Sequence, residues 1–198
     1  MKTGIRPLPA IAALISTTIV CGSIVSAQQA APPKPAAPFS SGVQLNVVVS
    51  KPARGSSAYS DYKKQKIVIT AKFANIDPRQ TYEGYTATIS ALAQDAADNK
   101  IKKVLMQQEV TLSLPPRKTQ EEVCPEVITS FDKIGYKYGY AYYAWIVVVK
   151  DPQGKVVMVK SSAPTLEKFT ELAAKLEKGM YYDSKLKPIP SPSGGSSD

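Results

Sequence analysis

Four tyrosines occupy alternate positions in one stretch of the sequence and are the strongest candidates for ligand-binding residues. They are Tyr136, Tyr138, Tyr140 and Tyr142. In a regular β-strand alternate side chains share a face, so all four would lie together, with Tyr143 and Trp145 on the opposite face. A row of exposed tyrosines offers flat apolar area with polar tips, which suits sugar rings or a peptide partner. The alternative is structural, with one tyrosine forming a corner contact and the others covering a sheet edge or packing under a helix.

The sequence lacks the residues that most kinds of catalysis require. It contains no histidine, which removes the commonest general base, the Ser-His and Cys-His nucleophile pairs and the usual zinc ligands. Asp95, Asp98 and Asn99 share one predicted turn, but three oxygen side chains fall short of the roughly 6 to 8 ligands that calcium takes. We therefore predict no catalytic residues, no metal site and no cofactor.

The amino terminus predicts export from the cell. Lys2 and Arg6 precede an apolar run, and the small residues ending at Ala27 are those that signal peptidase accepts. We predict a cleaved signal peptide over residues 1–27, and a periplasmic or extracellular protein with no transmembrane segment after cleavage. Lipidation at Cys21 is the minor alternative, because bulky side chains rather than small ones precede that cysteine.

The charge balance is basic. The formal net charge of +9 becomes +7 once the two basic residues of the signal peptide are removed. For an exported protein this favours an envelope protein, or an anionic or polysaccharide polymer, over nucleic acid as the partner. Many lysines also lie near predicted strand ends, where charged side chains discourage edge-to-edge pairing of strands.

Two polar segments flank the predicted domain. Residues 28–42 are rich in proline and alanine and predict a semi-rigid linker, and residues 180–198 predict a disordered tail. Cys124 is the only cysteine left after signal cleavage. Its thiol is either a small buried hydrophobe or one half of an intermolecular disulfide.

Alternating apolar residues predict a series of short strands between residues 43 and 163. The seven predicted strands cover residues 43–49, 67–73, 83–94, 101–114, 123–131, 136–150 and 156–160. Asp151-Pro152-Gln153-Gly154 joins the last two as a type I turn. The pattern predicts an all-β fold in which two antiparallel sheets form a sandwich.

One amphipathic α-helix is predicted after the strands, over residues 164–179. Thr165 can cap its start and Gly179 ends it, while an apolar stripe follows the helical period. Packing of this stripe onto the sandwich is one interpretation. The other is a helix offered to a partner's groove, with the stripe residues Phe169, Leu172 and Leu176 making the contact.

The chain resembles bacterial immunoglobulin-like and fibronectin type III-like modules. The resemblance rests on the strand count, on the tyrosine-rich segment before Trp145, and on the hairpin over residues 145–156. It implies a seven-stranded antiparallel immunoglobulin-like β-sandwich, in which a tyrosine at the start of the penultimate strand forms a tyrosine corner. Because the resemblance is one of fold type, it transfers no functional residues.

These observations favour a non-enzymatic binding or structural module of the bacterial cell envelope. One alternative is a carbohydrate-binding module that uses the row of tyrosines. Another is a subunit of an envelope protein assembly that docks through a strand edge or the amphipathic helix. A small enzyme that depends on carboxylates is the least favoured class.

Overall fold

The chain is folded mainly into antiparallel β-strands in a computed structural model that describes residues 38–50, 62–132 and 138–192. Within these ranges there are ten strands: β1 (Val43–Ser50), β2 (Tyr62–Asn75), β3 (Tyr82–Asp95), β4 (Lys102–Leu114), β5 (Thr119–Val123), β6 (Val127–Asp132), β7 (Tyr140–Lys150), β8 (Val156–Ser161), β9 (Tyr181–Tyr182) and β10 (Pro188–Ile189). The helical elements are α1 (Phe39–Gly42), a 3-10 helix (Pro164–Phe169) and α2 (Thr170–Ala173). The prediction of an all-β fold is confirmed.

The smaller sheet is organised around the long strand β2. One edge of β2 pairs with β1, and its other edge pairs first with β5 and then with β6. Cys124, Pro125 and Glu126 separate β5 from β6, although the backbone N–H of Cys124 still donates to the carbonyl of Ile69 at 2.8 Å. Because Pro125 has no N–H to donate, the single predicted strand over residues 123–131 is interrupted at this point.

The larger sheet has the order β10-β9-β4-β3-β7-β8, and every neighbouring pair is antiparallel. The hairpin between β7 and β8 matches the predicted turn. The Asp151 carboxylate accepts hydrogen bonds from the backbone N–H groups of Gln153 and Lys155, and Gly154 has a φ of +82°. A glycine is favoured here because side chains strain such a backbone.

The two sheets pack against each other over a shared apolar core. Alternate residues of β2 and β3, together with Val147 and Val149 of β7, are buried in it. Phe73 and Ile89, one from each sheet, are both fully buried. This arrangement is compatible with an immunoglobulin-like β-sandwich.

A second core lies on the other face of the larger sheet, where the C-terminal segment covers the strands. Leu92, Val104 and Ile146 of the sheet pack with Leu166 and Leu186 of this segment. Strand β7, which lies between β3 and β8, is therefore covered on both faces. This accounts for its uninterrupted apolar run, because a strand buried on both sides needs no polar alternation.

The predicted C-terminal helix is shorter than expected and of two types. Residues 164–169 form a 3-10 helix and residues 170–173 a single α-helical turn, in place of one α-helix over residues 164–179. The helix ends there because the backbone groups that follow it form hydrogen bonds with the larger sheet. Gln107 donates to the carbonyl of Leu176 at 2.7 Å, and the N–H of Gly179 donates to the carbonyl of Val104 at 2.8 Å.

The prediction of a disordered tail over residues 180–198 is corrected for residues 180–192. Strand β9 pairs with β4, and β10 pairs with β9. Between them the Asp183 carboxylate accepts backbone hydrogen bonds from Lys185 and Lys187, and Leu186 is fully buried. Burial of Tyr182 and Leu186 supplies the apolar contact that fixes this segment. Residues 193–198 lie outside the described part.

The predicted linker over residues 28–42 is also shorter than expected. Phe39 is buried, stacks on Tyr85 with ring centroids 4.5 Å apart, and meets Tyr82 edge-on at 5.3 Å. Residues 39–42 therefore belong to the folded domain. The signal peptide over residues 1–27, Cys21 and the linker up to residue 37 lie outside the described residues. Across the described ranges, no helix combines the length and apolar content needed to cross a bilayer.

Candidate functional site

An irregularity in β7 lies at Tyr143, directly after the predicted row of tyrosines. The pairing of β3 with β7 runs from Leu92 opposite Ala144 to Ala93 opposite Tyr142, so it skips Tyr143. An extra residue of this kind reverses the alternation of side chains along a strand. Tyr142 therefore packs against the core between the sheets, and Tyr143 packs against the second core.

This geometry corrects the prediction that Trp145 lies on the opposite face from Tyr142, whereas Tyr140 and Tyr142 keep the predicted alternation. Tyr142 lies on the same side as Trp145, and burial raises the pKa of its phenol to about 12 despite an opposing hydrogen bond with Ser162. Tyr140 is half-buried, whereas Tyr138 is 66% exposed. Tyr136 lies outside the described residues.

Tyr138 has an exposed neighbour that the sequence did not indicate. Tyr62, at the start of β2, pairs with Asp132 of β6, and the N–H of Asp132 donates to the carbonyl of Tyr138 at 2.9 Å. Tyr62 and Tyr138, 50% and 66% exposed, thus flank Asp132 in one row across three chain segments. We call these two residues the tyrosine pair. Directly paired residues in antiparallel strands point to one face, so the pair forms a flat aromatic surface.

Tyr140 belongs to a different group, the tyrosine–lysine cluster of Tyr140, Tyr181 and Lys103. The rings of Tyr140 and Tyr181 are 6.1 Å apart, and the Lys103 ammonium lies 5.2 and 5.0 Å from their respective centroids. β7, β9 and β4 supply these residues, so the cluster fastens β9 to the sheet. Contacts of this kind between a cation and aromatic faces are worth about 0.5–2 kcal/mol.

The two phenols of this cluster have opposite pKa shifts. Burial raises the pKa of Tyr140, with hydrogen bonds to Tyr181 and Asp95 adding to the effect. A hydrogen bond from Lys103 lowers the pKa of Tyr181, because the ammonium stabilises the phenolate. Within the cluster, Tyr140 therefore donates a hydrogen bond to Tyr181, which also accepts one from Lys103.

An open cavity of about 570 Å³ lies on the outer face of the larger sheet, beside the C-terminal segment. We call it the lysine pocket. Its described lining residues are Gln94, Asn99, Lys100, Lys102, Tyr143, Thr165, Lys168, Phe169 and Ser184. They combine three lysines with two aromatic rings and four neutral polar side chains, and none of them is acidic.

Lys102 forms the buried wall of the lysine pocket. Only 4% of the residue is exposed, and its ammonium lies 4.1 Å from the centroid of the Tyr143 ring. The ammonium donates to the amide oxygen of Gln94 at 3.4 Å and to the backbone carbonyl of Asn99. Burial lowers the pKa of Lys102, and the carboxylate of Asp98 partly opposes this shift.

The turn between β3 and β4 holds one side of the pocket. The Asp95 carboxylate accepts from the backbone N–H groups of Ala97 and Asp98 at 2.7 and 3.0 Å, and the Asp98 carboxylate accepts from Lys100 at 2.9 Å. Such side-chain caps shape the loop. These carboxylates therefore stabilise the turn, and among the described residues no group of three or more potential metal ligands occurs.

The 3-10 helix holds the other side of the pocket. The Glu167 carboxylate accepts from the N–H of Ser161 at 3.0 Å, and the Ser161 hydroxyl donates to the carbonyl of Trp145 at 2.7 Å. Lys160 adds an ion pair with Glu167 at 3.7 Å. These contacts tie the start of the helix to β7 and β8, and so position Lys168 and Phe169 at the cavity.

The residues predicted to face a partner's groove pack on the chain's own sheet instead. Leu176 is buried, and Phe169 and Leu172 are half-buried against the second core. This corrects the interpretation of an unpartnered helix. The apolar stripe covers the outer face of the larger sheet and removes the apolar side chains of that face from water.

Cys124 is buried, and this burial raises the pKa of its thiol to about 11. A thiol with so high a pKa is almost entirely protonated at neutral pH, which makes it a poor nucleophile. Burial therefore favours the small buried hydrophobe over an intermolecular disulfide for Cys124.

Sequence reasoning identified Tyr138 and Tyr140 but missed most of the residues around them. Tyr62 lies at the start of a lysine-rich segment, and Tyr181 lies in a segment predicted to be a tail. Lys100, Lys102 and Lys103 are among the lysines near predicted strand ends, for which the sequence indicates a solvated edge. The adjacency of Lys102 and Lys103 was the available signal. Adjacent side chains of a strand must point to opposite faces, so the two lysines could not share one environment.

Comparisons with known proteins identify no family for this chain: no protein-family model and no curated protein matches it. Among solved structures, a structural-genomics target is similar at 11% identity, with 62% of this chain and 87% of that chain covered and a TM-score of 0.35. A protein from Akkermansia muciniphila is similar at 18% identity, over 64% of this chain and 75% of that chain, with a TM-score of 0.35. The β-glucuronidase 2 of Bacteroides uniformis is similar at 8% identity, over 69% of this chain and 13% of that chain, with a TM-score of 0.33. Likenesses at this level give no basis for assigning an activity.

Proposed function

We propose that this chain is an exported, non-enzymatic module of the bacterial cell envelope that binds a carbohydrate polymer. The signal-peptide pattern in residues 1–27 supports export. We infer an immunoglobulin-like β-sandwich, because β1-β2-β5 and β4-β3-β7-β8 are antiparallel sheets with a common core. Such small sandwiches bind ligands on their surfaces and seldom enclose a catalytic cleft.

The tyrosine pair carries the proposal. Tyr62 and Tyr138 expose 50% and 66% of their surface on either side of Asp132. Neighbouring strands are about 4.8 Å apart, so the two tyrosines are separated by roughly 10 Å across β6. Two flat rings at this separation can contact successive units of a sugar polymer, and the carboxylate between them can accept hydrogen bonds from sugar hydroxyls.

Basic residues beside the pair extend the surface toward acidic polymers. Lys64 is exposed two residues after Tyr62 in β2, on the same face of the strand, and it pairs with Ser130 of β6. A positive charge here raises the local concentration of an anionic polysaccharide. The same surface is open to neutral polymers, because stacking on a tyrosine ring does not require charge.

Substitution of the tyrosine pair tests the proposal. We expect the purified protein to bind at least one member of a panel of bacterial and plant polysaccharides in affinity electrophoresis. The double variant Tyr62→Ala and Tyr138→Ala should weaken that binding by at least about tenfold, because each lost ring contact is worth about 1 kcal/mol. The double Phe variant keeps both rings and should retain most of the binding.

Val48 and Val123 provide a matched control. They are 58% and 61% exposed, lie in the same sheet, and carry no ring. Their double Ala variant should bind as the unmodified protein does. Binding that is equal in the tyrosine and valine variants, or no binding to any polysaccharide of the panel, would refute the proposed function.

A further inference from the structure

The lysine pocket is a second site, separate from the tyrosine pair. The tyrosine pair lies at the junction of β2, β6 and the start of β7, whereas the pocket lies on the opposite side of the larger sheet, under the C-terminal segment. Its existence does not depend on the function of the tyrosine pair. The two sites can therefore be tested independently.

The charge of the pocket favours an anion. Lys100, Lys102 and Lys168 all contribute to its lining, and no described lining residue is acidic. Asp98 acts on Lys102 but does not itself line the cavity. Three ammonium groups around one cavity of about 570 Å³ produce a positive potential that a bound carboxylate would neutralise.

Lys102 supplies a fixed positive charge in the wall of the pocket. Its ammonium is held by Gln94, by the carbonyl of Asn99 and by the face of Tyr143. A side chain fixed in this way loses little conformational entropy when a ligand binds. Because it is also largely removed from water, its charge is screened less than that of an exposed lysine.

The remaining walls favour a ring with hydroxyl groups. Tyr143 and Phe169 supply aromatic surface, on which the apolar face of a sugar ring can pack. Gln94, Thr165 and Ser184 supply neutral donors and acceptors. A simple inorganic anion would use the lysines but none of these groups.

We propose that the lysine pocket binds a carboxylated sugar unit, that is, a uronic acid residue either free or within an oligosaccharide. The lysines neutralise its carboxylate, the aromatic residues contact its ring, and the neutral side chains bond its hydroxyls. The volume falls within the roughly 300–1,000 Å³ range typical of small-molecule sites.

A pair of ligands that differ only at the carboxyl group, one charged and one neutral, tests this proposal. Galacturonic acid and its methyl ester are titrated into the purified protein, with binding followed by calorimetry and by NMR of the aromatic residues. We expect galacturonic acid to bind at least tenfold more tightly than the ester, with shifts at Tyr143 and Phe169. Its affinity should fall as the salt concentration rises.

Substitution of exposed lysines locates the site. Lys100→Met together with Lys168→Met should weaken galacturonic acid binding at least fivefold. Lys178→Met, an exposed lysine outside the lining, is the control and should leave the affinity unchanged. A thermal melt checks that each variant is folded. If the double variant is unfolded, the proposal is tested by the preference of the unmodified protein for the acid over the ester.

Four results would overturn the proposal: equal affinity for the acid and the ester, binding unchanged in the double lysine variant, inorganic phosphate binding as tightly as galacturonic acid, or shifts confined to the tyrosine pair. The last result would show that the carboxylated ligand binds at the tyrosine pair. Conversely, polysaccharide binding can fail while galacturonic acid binding at the pocket persists, so failures of the two proposals are distinguishable.

Discussion

Adjacent tyrosines of β7 enter different environments, and a single extra residue in the strand sets which of them meets which core. Tyr142 packs between the sheets and Tyr143 packs under the C-terminal segment, where its ring meets the ammonium of Lys102. The same alternation divides two adjacent lysines of β4. Lys102 lines the pocket, and Lys103 contacts Tyr140 and Tyr181 on the opposite face. The chemistry of each side chain is therefore set by strand register more than by residue type.

A pKa measurement tests the contact between Lys103 and Tyr181. The Lys103→Met substitution removes the hydrogen bond and charge that lower the pKa of the Tyr181 phenol, so we expect this pKa to rise. NMR titration of ring-labelled tyrosine measures it, with Tyr181→Phe assigning the signal. Lys155→Met, in the exposed turn after β7, serves as the control. An unchanged or lower pKa of Tyr181 in Lys103→Met would contradict the assignment.

The corner between β6 and β7 is the element that positions Tyr138. Gly139 forms an isolated bridge with Phe131 and has a φ of +95°. A Cβ atom on Gly139 would lie 2.2 Å from the backbone carbonyl oxygen of Ser130, so the strands would have to separate. Glycine is required here for its backbone conformation and for the close approach of the two strands.

Two glycine substitutions separate these two requirements. Gly139→Ala and Gly179→Ala both place a side chain at positive φ, but the Cβ of the second would meet nothing within 4 Å. Both should lose about 1 kcal/mol of unfolding free energy from the backbone conformation. Gly139→Ala should lose at least about 2 kcal/mol more, from the steric clash. Urea denaturation measures both, and equal losses would show that the close approach is unimportant.

The elements differ in how well the sequence predicts them. β1, β3, β4 and the β7–β8 hairpin follow from alternation and turn chemistry, which are local properties. The irregularity at Tyr143 leaves no mark in the pattern, because tyrosine is acceptable on either face of the strand. β9 and β10 are only two residues long, which is too short for a periodic pattern to predict them. They form because β9 pairs with the edge of β4 and β10 pairs with β9. The tyrosine pair and the lysine pocket both depend on such tertiary pairings.

At the scale of the whole molecule, the larger sheet separates two apolar cores. The second core contains Tyr182 and Leu186 from the C-terminal segment, and both are buried. Burying a large apolar side chain stabilises a fold by about 1.5–3 kcal/mol. The segment is therefore an integral part of the fold.

Two C-terminal truncations test this conclusion. Removal of residues 181–198 should lower the free energy of unfolding by at least about 3 kcal/mol and increase binding of an apolar dye, because the second core opens. Removal of residues 193–198 is the control and should change neither quantity. If both truncations leave the urea midpoint unchanged, the segment does not stabilise the sheet.

Because the C-terminal segment closes the larger sheet from outside, the domain has two unlike sides. Within the described residues, the C-terminal segment covers the outer face of the larger sheet, whereas the tyrosine pair stays exposed at the smaller sheet. The two proposed sites therefore do not compete for one surface. If both proposals hold, a polymer on the tyrosine pair leaves the cavity beside Lys168 uncovered, so one domain can hold two ligands at once.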